Sequence, residues 1–177
     1  YDIDGMDFQY EKKVYHFNVH QSFFSIYLDG IIKIVKRFNI LSKQLYDLYF
    51  VFSDYLRRNQ VFKLEKGYLI DNSYNANLEG IKSSLSLVET LHGETYVITG
   101  GIIEQGKNFV VENRALQKLL KNYSVIFIGE KNHPLVKNGE FKKLMITKDI
   151  SQAYKLIRDI NPDNILLLAK GDNIFLR

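Results

Sequence analysis

The sequence contains no cysteine among its 177 residues. This absence excludes a disulfide framework, a cysteine-ligated metal site and a cysteine nucleophile. It is compatible with a reducing compartment, and we expect the protein in the cytoplasm. The four histidines are dispersed, and the closest pair, His16 and His20, has no acidic partner at metal-ligand spacing. We interpret this pair as structural or exposed, and we predict no metal-ligating residue.

Long apolar runs are absent too. The longest apolar stretch, Phe23 to Val35, is interrupted by Asp29 and Lys33, and no charged-then-apolar segment has the pattern of a signal peptide. We therefore predict a soluble protein that does not insert into membranes. The net charge is +4, but lysine, arginine and acidic residues are interspersed. This mixture is typical of a solvated surface, and we expect no nucleic-acid partner.

A phosphate-binding loop is the third missing feature. The Gly-Lys pair of the chain, Gly106-Lys107, is followed by Asn108 instead of Ser or Thr, so the pattern that cradles nucleotide phosphates is not met. We expect that this chain alone neither hydrolyses ATP nor forms an amide bond with it. Its composition, 46% hydrophobic and 25% charged, is that of a globular protein. The length suits one domain, or one domain with part of another.

Phe and Tyr residues are concentrated before Tyr68, which indicates two structural units. In the first unit, alternating apolar residues on both sides of Glu11-Lys12-Lys13 predict a β-hairpin. Apolar residues recur at helical spacing from Gln21 to Phe38, and we expect this helix to be largely buried. A second helix, capped by Ser42, is predicted to end near Tyr55.

From Asn59 onward the sequence predicts alternating strands and helices. A hairpin with its turn at Glu65-Lys66-Gly67 comes first. The other predicted elements are a helix from Leu78 with a C-cap at Gly93, strand Thr95 to Thr99, a helix from about Val111 to Lys121, strand Ser124 to Ile128, strand Lys143 to Ile146, helix Ile150 to Ile160 and strand Asn164 to Ala169. This alternation predicts an α/β fold with a Rossmann-like, mostly parallel sheet that carries helices on both faces.

The stretch most informative about chemistry is Asp71-Asn72-Ser73-Tyr74-Asn75-Ala76-Asn77. A short buried strand, Tyr68-Leu69-Ile70, leads into it, and Asn77 is suited to cap the helix that begins near Leu78. Asp71 then lies at the carboxyl end of a strand, where open α/β sheets bind ligands. By themselves these residues fit an ordinary Asn-rich connection as well as a binding loop.

The same stretch resembles the Asp-Asp-Ser/Thr-Tyr-Asn-Ala-Asn signature of the Mur ligases. Six of the seven positions agree, and the exception is Asn72 in place of the second Asp. A second segment, Gly100 to Gly106, is similar to the family's Gly-Asp-Met-x-Glu-Leu-Gly. There Gly100, Glu104 and Gly106 agree, while Gly101 replaces the Asp.

The resemblance implies the C-terminal portion of an ATP-dependent amide ligase of peptidoglycan precursor synthesis. Residues 1–58 would be the tail of the central ATP-binding domain, and residues 59–177 the C-terminal Rossmann-like domain. The branch of the family that it indicates adds D-Ala-D-Ala to a UDP-MurNAc-peptide through an acyl-phosphate, with ATP and Mg²⁺ held mainly by the central domain. Because the chain starts at Tyr1 without an initiator Met, we expect a fragment, inactive alone, of a monomeric bacterial enzyme.

The resemblance also implies site residues, none of them catalytic. Those near ATP are Arg58, Asp71, Tyr74, Asn75 and Asn77, and those lining the second substrate's cleft are Gly100, Glu104, Gly106 and Lys170. Simpler interpretations stay open: Arg58 as a solvated charge beside Arg57, the glycines as a tight strand-to-helix turn, and Lys170 as a surface lysine. Two other functions also stay open, namely a Mur-like binding or scaffold domain without catalysis and an unrelated Rossmann-like binder of small molecules.

Overall fold

The structure is a computed structural model. It describes the residues 4–10, 12–17, 24–38, 60–73, 77–103 and 105–169. The first three ranges contain a β-hairpin and one helix, and the last three contain a six-stranded sheet with three further helices. The predicted helix from Ser42 to Tyr55 lies outside the described residues.

The hairpin consists of β1 (Met6–Tyr10) and β2 (Lys13–Phe17), which pair antiparallel. Asp7 lies opposite His16 in this ladder, and the Asp7 carboxylate is 2.8 Å from His16 Nδ1. Both side chains are exposed. The predicted hairpin is confirmed, and His16 is an exposed residue in a cross-strand pair.

Helix α1 (Phe24–Arg37) is less buried than its sequence predicts. Leu28 and Ile32, one turn apart, are 5% and 7% exposed, whereas Tyr27 and Ile34 are 62% and 57% exposed. The prediction of a largely buried helix is therefore wrong for the flanks of its apolar stripe. Helical periodicity reports that a face is apolar, but it does not report how wide a face the neighbouring elements cover.

The second part of the chain builds one mixed sheet. Its strands are β3 (Gln60–Lys63), β4 (Tyr68–Asp71), β5 (Thr95–Gly101), β6 (Ser124–Ile128), β7 (Lys143–Thr147) and β8 (Asn164–Ala169). They lie in the order β3-β4-β8-β5-β6-β7, in which the hairpin pair β3 and β4 is antiparallel and all other neighbours are parallel. The predicted α/β fold with a mostly parallel sheet is confirmed.

Three helices cover the two faces of this sheet: α2 (Leu78–Val88), α3 (Phe109–Leu119) and α4 (Ile150–Ile160). Side chains alternate along each strand, so that Val97 packs with α2 and α3 on one face while its neighbour Ile98 packs with α4 on the other. Helices on both faces were predicted, and this is confirmed. No helix in the described part of the chain is both long and apolar enough to cross a membrane.

Helix α2 ends earlier than the sequence predicts. Its last residue is Val88, and the Thr90 hydroxyl donates to the Leu87 carbonyl at 2.7 Å, which closes the helix end. Gly93 does have a φ of +93°, but a Cβ there would lie 2.5 Å from the Asp163 carboxylate. The predicted C-cap role of Gly93 is therefore wrong; its lack of a side chain admits Asp163, which accepts a bond from the next backbone N–H.

Candidate functional site at the carboxyl edge of the sheet

The strands β4 to β8 are parallel, so their carboxyl ends meet at one side of the sheet, which we name the carboxyl edge. Asp71 pairs with Leu167 of β8, and Leu167 pairs with Ile98 of β5. Strand β5 then runs three residues further, to Gly101. Two strand spacings, about 10 Å, separate Asp71 from β5 across β8. The structure thus brings Asp71 and the Gly100-Gly101 end of β5 to the same edge.

Asp71 is the last residue of β4 and is partly buried. Its Oδ1 accepts a hydrogen bond from the backbone N–H of Ser73 at 2.9 Å. This local bond, typical of aspartate in turns, holds the carboxylate at the point where the chain leaves the strand. The second carboxylate oxygen makes no hydrogen bond to another described residue, so its capacity to accept one is unused there.

Asn72, the departure from the family motif, is a structural residue. It is 2% exposed, and its Nδ2 donates to the Gly80 carbonyl at 3.1 Å and to Ser84 Oγ at 2.7 Å. Its own backbone N–H donates to the Leu167 carbonyl at 3.0 Å. The side chain therefore ties the end of β4 to the first turns of α2. An aspartate has no N–H with which to make these two bonds.

Asn77 caps α2 as predicted. Its Oδ1 accepts from the backbone N–H of Gly80 at 2.7 Å, and its backbone is extended, as expected for an N-cap residue. Because the oxygen is engaged in the cap, the exposed side chain offers its amide nitrogen to a ligand. The prediction that Asn77 contacts a nucleotide stays a prediction.

The segment after β5 is held by a buried asparagine that sequence reasoning missed. Asn113 of α3 is fully buried; it accepts from the Ile102 N–H at 2.9 Å and donates to the Ile102 carbonyl at 2.8 Å. A third bond, 2.9 Å long, joins its Nδ2 to the Phe109 carbonyl. The Asn113 side chain thus satisfies both backbone groups of Ile102, as a neighbouring strand would do.

Gly100 and Gly106 frame this segment. Gly100 lies within β5, which extends two residues beyond its predicted end at Thr99. Gly106, with a φ of +49°, opens the single 3₁₀ turn Gly106–Asn108 that leads directly into α3. This turn explains why α3 begins at Phe109, two residues before its predicted start.

His133 also lies at this edge, in the loop after β6. Its Nδ1 accepts from the Leu135 N–H at 3.2 Å. The ring meets Phe109 edge-on with centroids 5.2 Å apart and tilts against Phe127 at 4.9 Å. Burial of the ring lowers the pKa of His133, because removal from water disfavours the charged form. A lone His-Pro in a polar loop was the sequence signal, and without the fold it points to no partner.

We expect the free energy of unfolding to fall as the pH is lowered, with His133 as one cause. Its folded-state pKa lies below the value of 6.5 for the free side chain, so the unfolded chain takes up more protons. The stability that the neutral His133 contributes is fully present above the free side chain's pKa of 6.5. It is lost as the pH falls through the folded-state pKa. Urea titrations from about pH 8 to about pH 5 should show a weaker pH dependence for His133→Phe than for the wild type.

The matched control for this pH dependence is His92→Phe. His92 is exposed at the opposite end of the sheet. Its replacement also exchanges a histidine for a phenylalanine, and it serves as the reference with which the slope for His133→Phe is compared. Equal slopes for the wild type and His133→Phe would contradict the role assigned to His133.

The other predicted site residues, Arg58, Tyr74, Asn75, Glu104 and Lys170, lie outside the described residues. Their roles stay predictions, as do the roles predicted for Asp71, Gly100 and Gly106. Within the ranges that the structure describes, no group of three or more His, Asp or Glu side chains is placed to hold a metal ion.

Comparison with solved structures finds proteins that share this arrangement of strands and helices. The MurF ligase of Thermotoga maritima, solved in complex with ADP, matches with a TM-score of 0.54 and 18% identity, over 67% of this chain and 28% of that one. The matched residues share the fold of a part of the MurF ligases. Two structures of Acinetobacter baumannii MurF match with TM-scores of 0.52 and identities of 20% and 22%, over 66% and 65% of this chain and 27% of each of those chains.

The match to MurF thus spans just over a quarter of the MurF chains. It agrees with the resemblance of residues 71–77 to the Mur ligase signature and with a Rossmann-like C-terminal domain. No protein-family model matches the chain, and no curated protein matches it in sequence. At 18% to 22% identity, the similarity to MurF concerns the fold.

Proposed function

We propose that this chain is the C-terminal domain, preceded by the tail of the central domain, of a bacterial, cytoplasmic, ATP-dependent amide ligase of the Mur type. The observation that carries the proposal is the strand, motif and capped helix at residues 68–88 within a MurF-like fold. The Asp71 carboxylate and the Gly100-Gly101 end of β5 lie at one edge of the sheet, where such folds bind ligands.

The described residues fit one side of a nucleotide site. The free oxygen of Asp71 can accept a hydrogen bond from a ribose hydroxyl, and the Asn77 amide can donate to a base. They do not fit a phosphate or Mg²⁺ site, because Gly106 and Lys107 belong to a 3₁₀ turn and lack the pattern of a phosphate-binding loop. In this proposal the phosphates and Mg²⁺ are therefore held by the central domain of the parent protein.

The proposed reaction joins a carboxylate of a UDP-MurNAc-peptide to the amine of D-Ala-D-Ala. ATP supplies the activation by forming an acyl-phosphate. The part of this chain in that reaction is to bind and orient the amine-bearing substrate at the carboxyl edge, since positioning of reactants is a large share of catalysis in such transfers.

The test compares this 177-residue chain with its full-length parent. Calorimetry should detect at most weak binding of ATP and of D-Ala-D-Ala to the chain alone, and much tighter binding to the parent. The parent should also release phosphate from ATP when both substrates are present. Tight ATP binding by the chain alone would contradict the proposal. A full-length parent protein whose sequence has no phosphate-binding loop would contradict it too.

A second candidate function is a Mur-like binding or scaffold domain without catalysis. The observation in its favour is Gly101, which stands where the family has an aspartate and whose side-chain space is filled by His133 and Asn113. Growth of a bacterium that lacks its own ligase, when supplied with the full-length parent, decides between the two. Rescue supports the ligase, whereas a stably expressed parent that gives no rescue supports the binding domain.

A further inference from the structure

The imidazole of His133 fills the space beside Gly101. A Cβ placed on Gly101 would lie 2.7 Å from Cε1 and 3.3 Å from Nε2 of His133, and 2.6 Å from Asn113 Oδ1. Gly101 also has a φ of +85°, a conformation that favours glycine. An aspartate at this position would collide with the ring and with the asparagine. The position is therefore a glycine because two other side chains use its volume.

The orientation of the His133 ring is determined by its surroundings. Phe109 and Phe127 contact the ring, as described above, and Nδ1 accepts from the Leu135 N–H. Since a backbone N–H can only donate, Nδ1 carries no proton and the neutral ring carries its proton on Nε2. The lowered pKa keeps the ring neutral near pH 7. His133 thus presents an N–H donor next to Gly101.

This donor lies at the carboxyl edge and has no partner within the described ranges. Gly101 ends β5, and Phe109, which contacts the ring, is the first residue of α3. No described residue accepts a hydrogen bond from Nε2. Since the described residues contain no buried side-chain nitrogen without a partner, Nε2 is not fully enclosed by the half-buried ring's surroundings. A rigid donor at the strand ends of an open α/β sheet is a means of orienting a ligand.

We propose that His133 binds the incoming substrate of the ligase, donating a hydrogen bond from Nε2 to its carboxylate. This assignment rests on the proposed function, since that function supplies a substrate whose carboxylate has to stay unreacted while its amine attacks. A neutral donor suits the task, because it fixes an oxygen without forming an ion pair that would slow release. The phosphate-handling cations of the reaction lie elsewhere in the proposal, so a carboxylate is the anion expected here.

Binding is tested on the isotopically labelled 177-residue chain by NMR at about pH 7.5. D-Ala-D-Ala should shift the His133 ring signals and the Gly101 amide, and its C-terminal amide derivative should not. Inorganic phosphate serves as the comparison anion. Absence of any His133 shift with the free acid at tens of millimolar would overturn the proposal, as would a shift caused by phosphate but not by the free acid.

Variants of the full-length parent then test the role in the reaction. His133→Phe keeps an aromatic ring without the donor and should raise the KM for D-Ala-D-Ala about tenfold, the usual effect of losing a hydrogen bond to a charged group. The KM for ATP should not change. His133→Gln keeps an N–H near the place of Nε2 and should restore most of the affinity. His92→Phe is the control and should behave as the wild type.

The outcomes separate this inference from the proposed function. If the parent is an active ligase and His133→Phe leaves the KM for D-Ala-D-Ala unchanged, the assignment of His133 is wrong while the function stands. If the parent shows no ligase activity but the free acid shifts His133 in the chain, the function is wrong while the carboxylate site stands.

Discussion

Replacement of Asn72 by aspartate should lower the free energy of unfolding by about 2 kcal/mol near neutral pH, because a buried group would lose its hydrogen bonds and gain a charge. Asn72 is 2% exposed and donates to the Gly80 carbonyl and to Ser84 Oγ. A carboxylate would face the carbonyl oxygen instead of donating to it. The substitution converts the sequence to the family's Asp-Asp form, so it tests whether the departure is structural.

The pH dependence of Asn72→Asp distinguishes charge burial from a change of shape. Burial should raise the pKa of the new carboxyl above that of an unfolded chain, so the folded variant binds more protons than the unfolded one. The loss of unfolding free energy caused by the buried charge is therefore largest at neutral pH, and it becomes smaller as the pH falls. Denaturant titrations at about pH 7.5 and about pH 5 should show the gap to the wild type narrowing.

The control for Asn72→Asp is Asn77→Asp, the same chemical change five residues along the chain. Aspartate caps helices as well as asparagine does, so the stability should stay within about 0.5 kcal/mol of the wild type. A variant Asn72→Asp that is as stable as the wild type near neutral pH would show that the bonds to Gly80 and Ser84 do not hold β4 to α2.

Replacement of Asn113 by leucine should destabilise the sheet unit by about 3 kcal/mol, since both backbone groups of Ile102 would be buried without a partner. Leucine keeps the branching of asparagine at Cγ but is larger, so hydrogen exchange at Ile102 is measured as well, to separate the lost hydrogen bonds from the change in packing. The Ile102 N–H should also lose its protection against hydrogen exchange. Because Asn113 holds Ile102, directly after Gly101, against α3, the same variant should weaken binding of D-Ala-D-Ala to the parent.

Asn108→Leu is the matched control, because Asn108 is exposed and its side chain makes no cap hydrogen bond at the start of α3. Its stability should lie within about 0.5 kcal/mol of the wild type. Wild-type stability together with full protection of Ile102 in Asn113→Leu would contradict the role of the asparagine. Denaturant titration gives the free energy of unfolding of each variant, and hydrogen exchange on the same samples gives the protection of the Ile102 N–H.

Much of the fold could be predicted from local patterns. The strand Ser124–Ile128, the helix Ile150–Ile160 and the strand Asn164–Ala169 have the bounds that periodicity predicts. The cap at Asn77 was also predictable, since it is formed between residues three positions apart. Periodicity failed for the width of the buried face of α1 and for the end of α2, where a threonine hydroxyl and a distant aspartate decide the geometry.

The candidate site, like the fold, has a part that local sequence patterns predict and a part that depends on distant contacts. The sequence alone predicted roles for Asp71, Gly100 and Gly106, because short motifs carry their information in neighbouring residues; these roles stay predictions. It did not identify His133, whose ring meets residues more than twenty positions away in Phe109 and Gly101. Such contacts depend on how loops pack after the sheet has formed, and no period or cap in the sequence reports them.

The sequence by itself determined the order of strands and helices, the α/β class, the cap of α2 and the motif that resembles the Mur ligases. Only the tertiary structure decided why Asn72 departs from that motif and why Gly101 departs from the second family segment. Asn72 is an asparagine because a carbonyl and a hydroxyl need its N–H groups. Gly101 is a glycine because His133 and Asn113 occupy its side-chain volume. Both reasons lie in groups that the folded chain brings together, and packing of these groups selects the residue type.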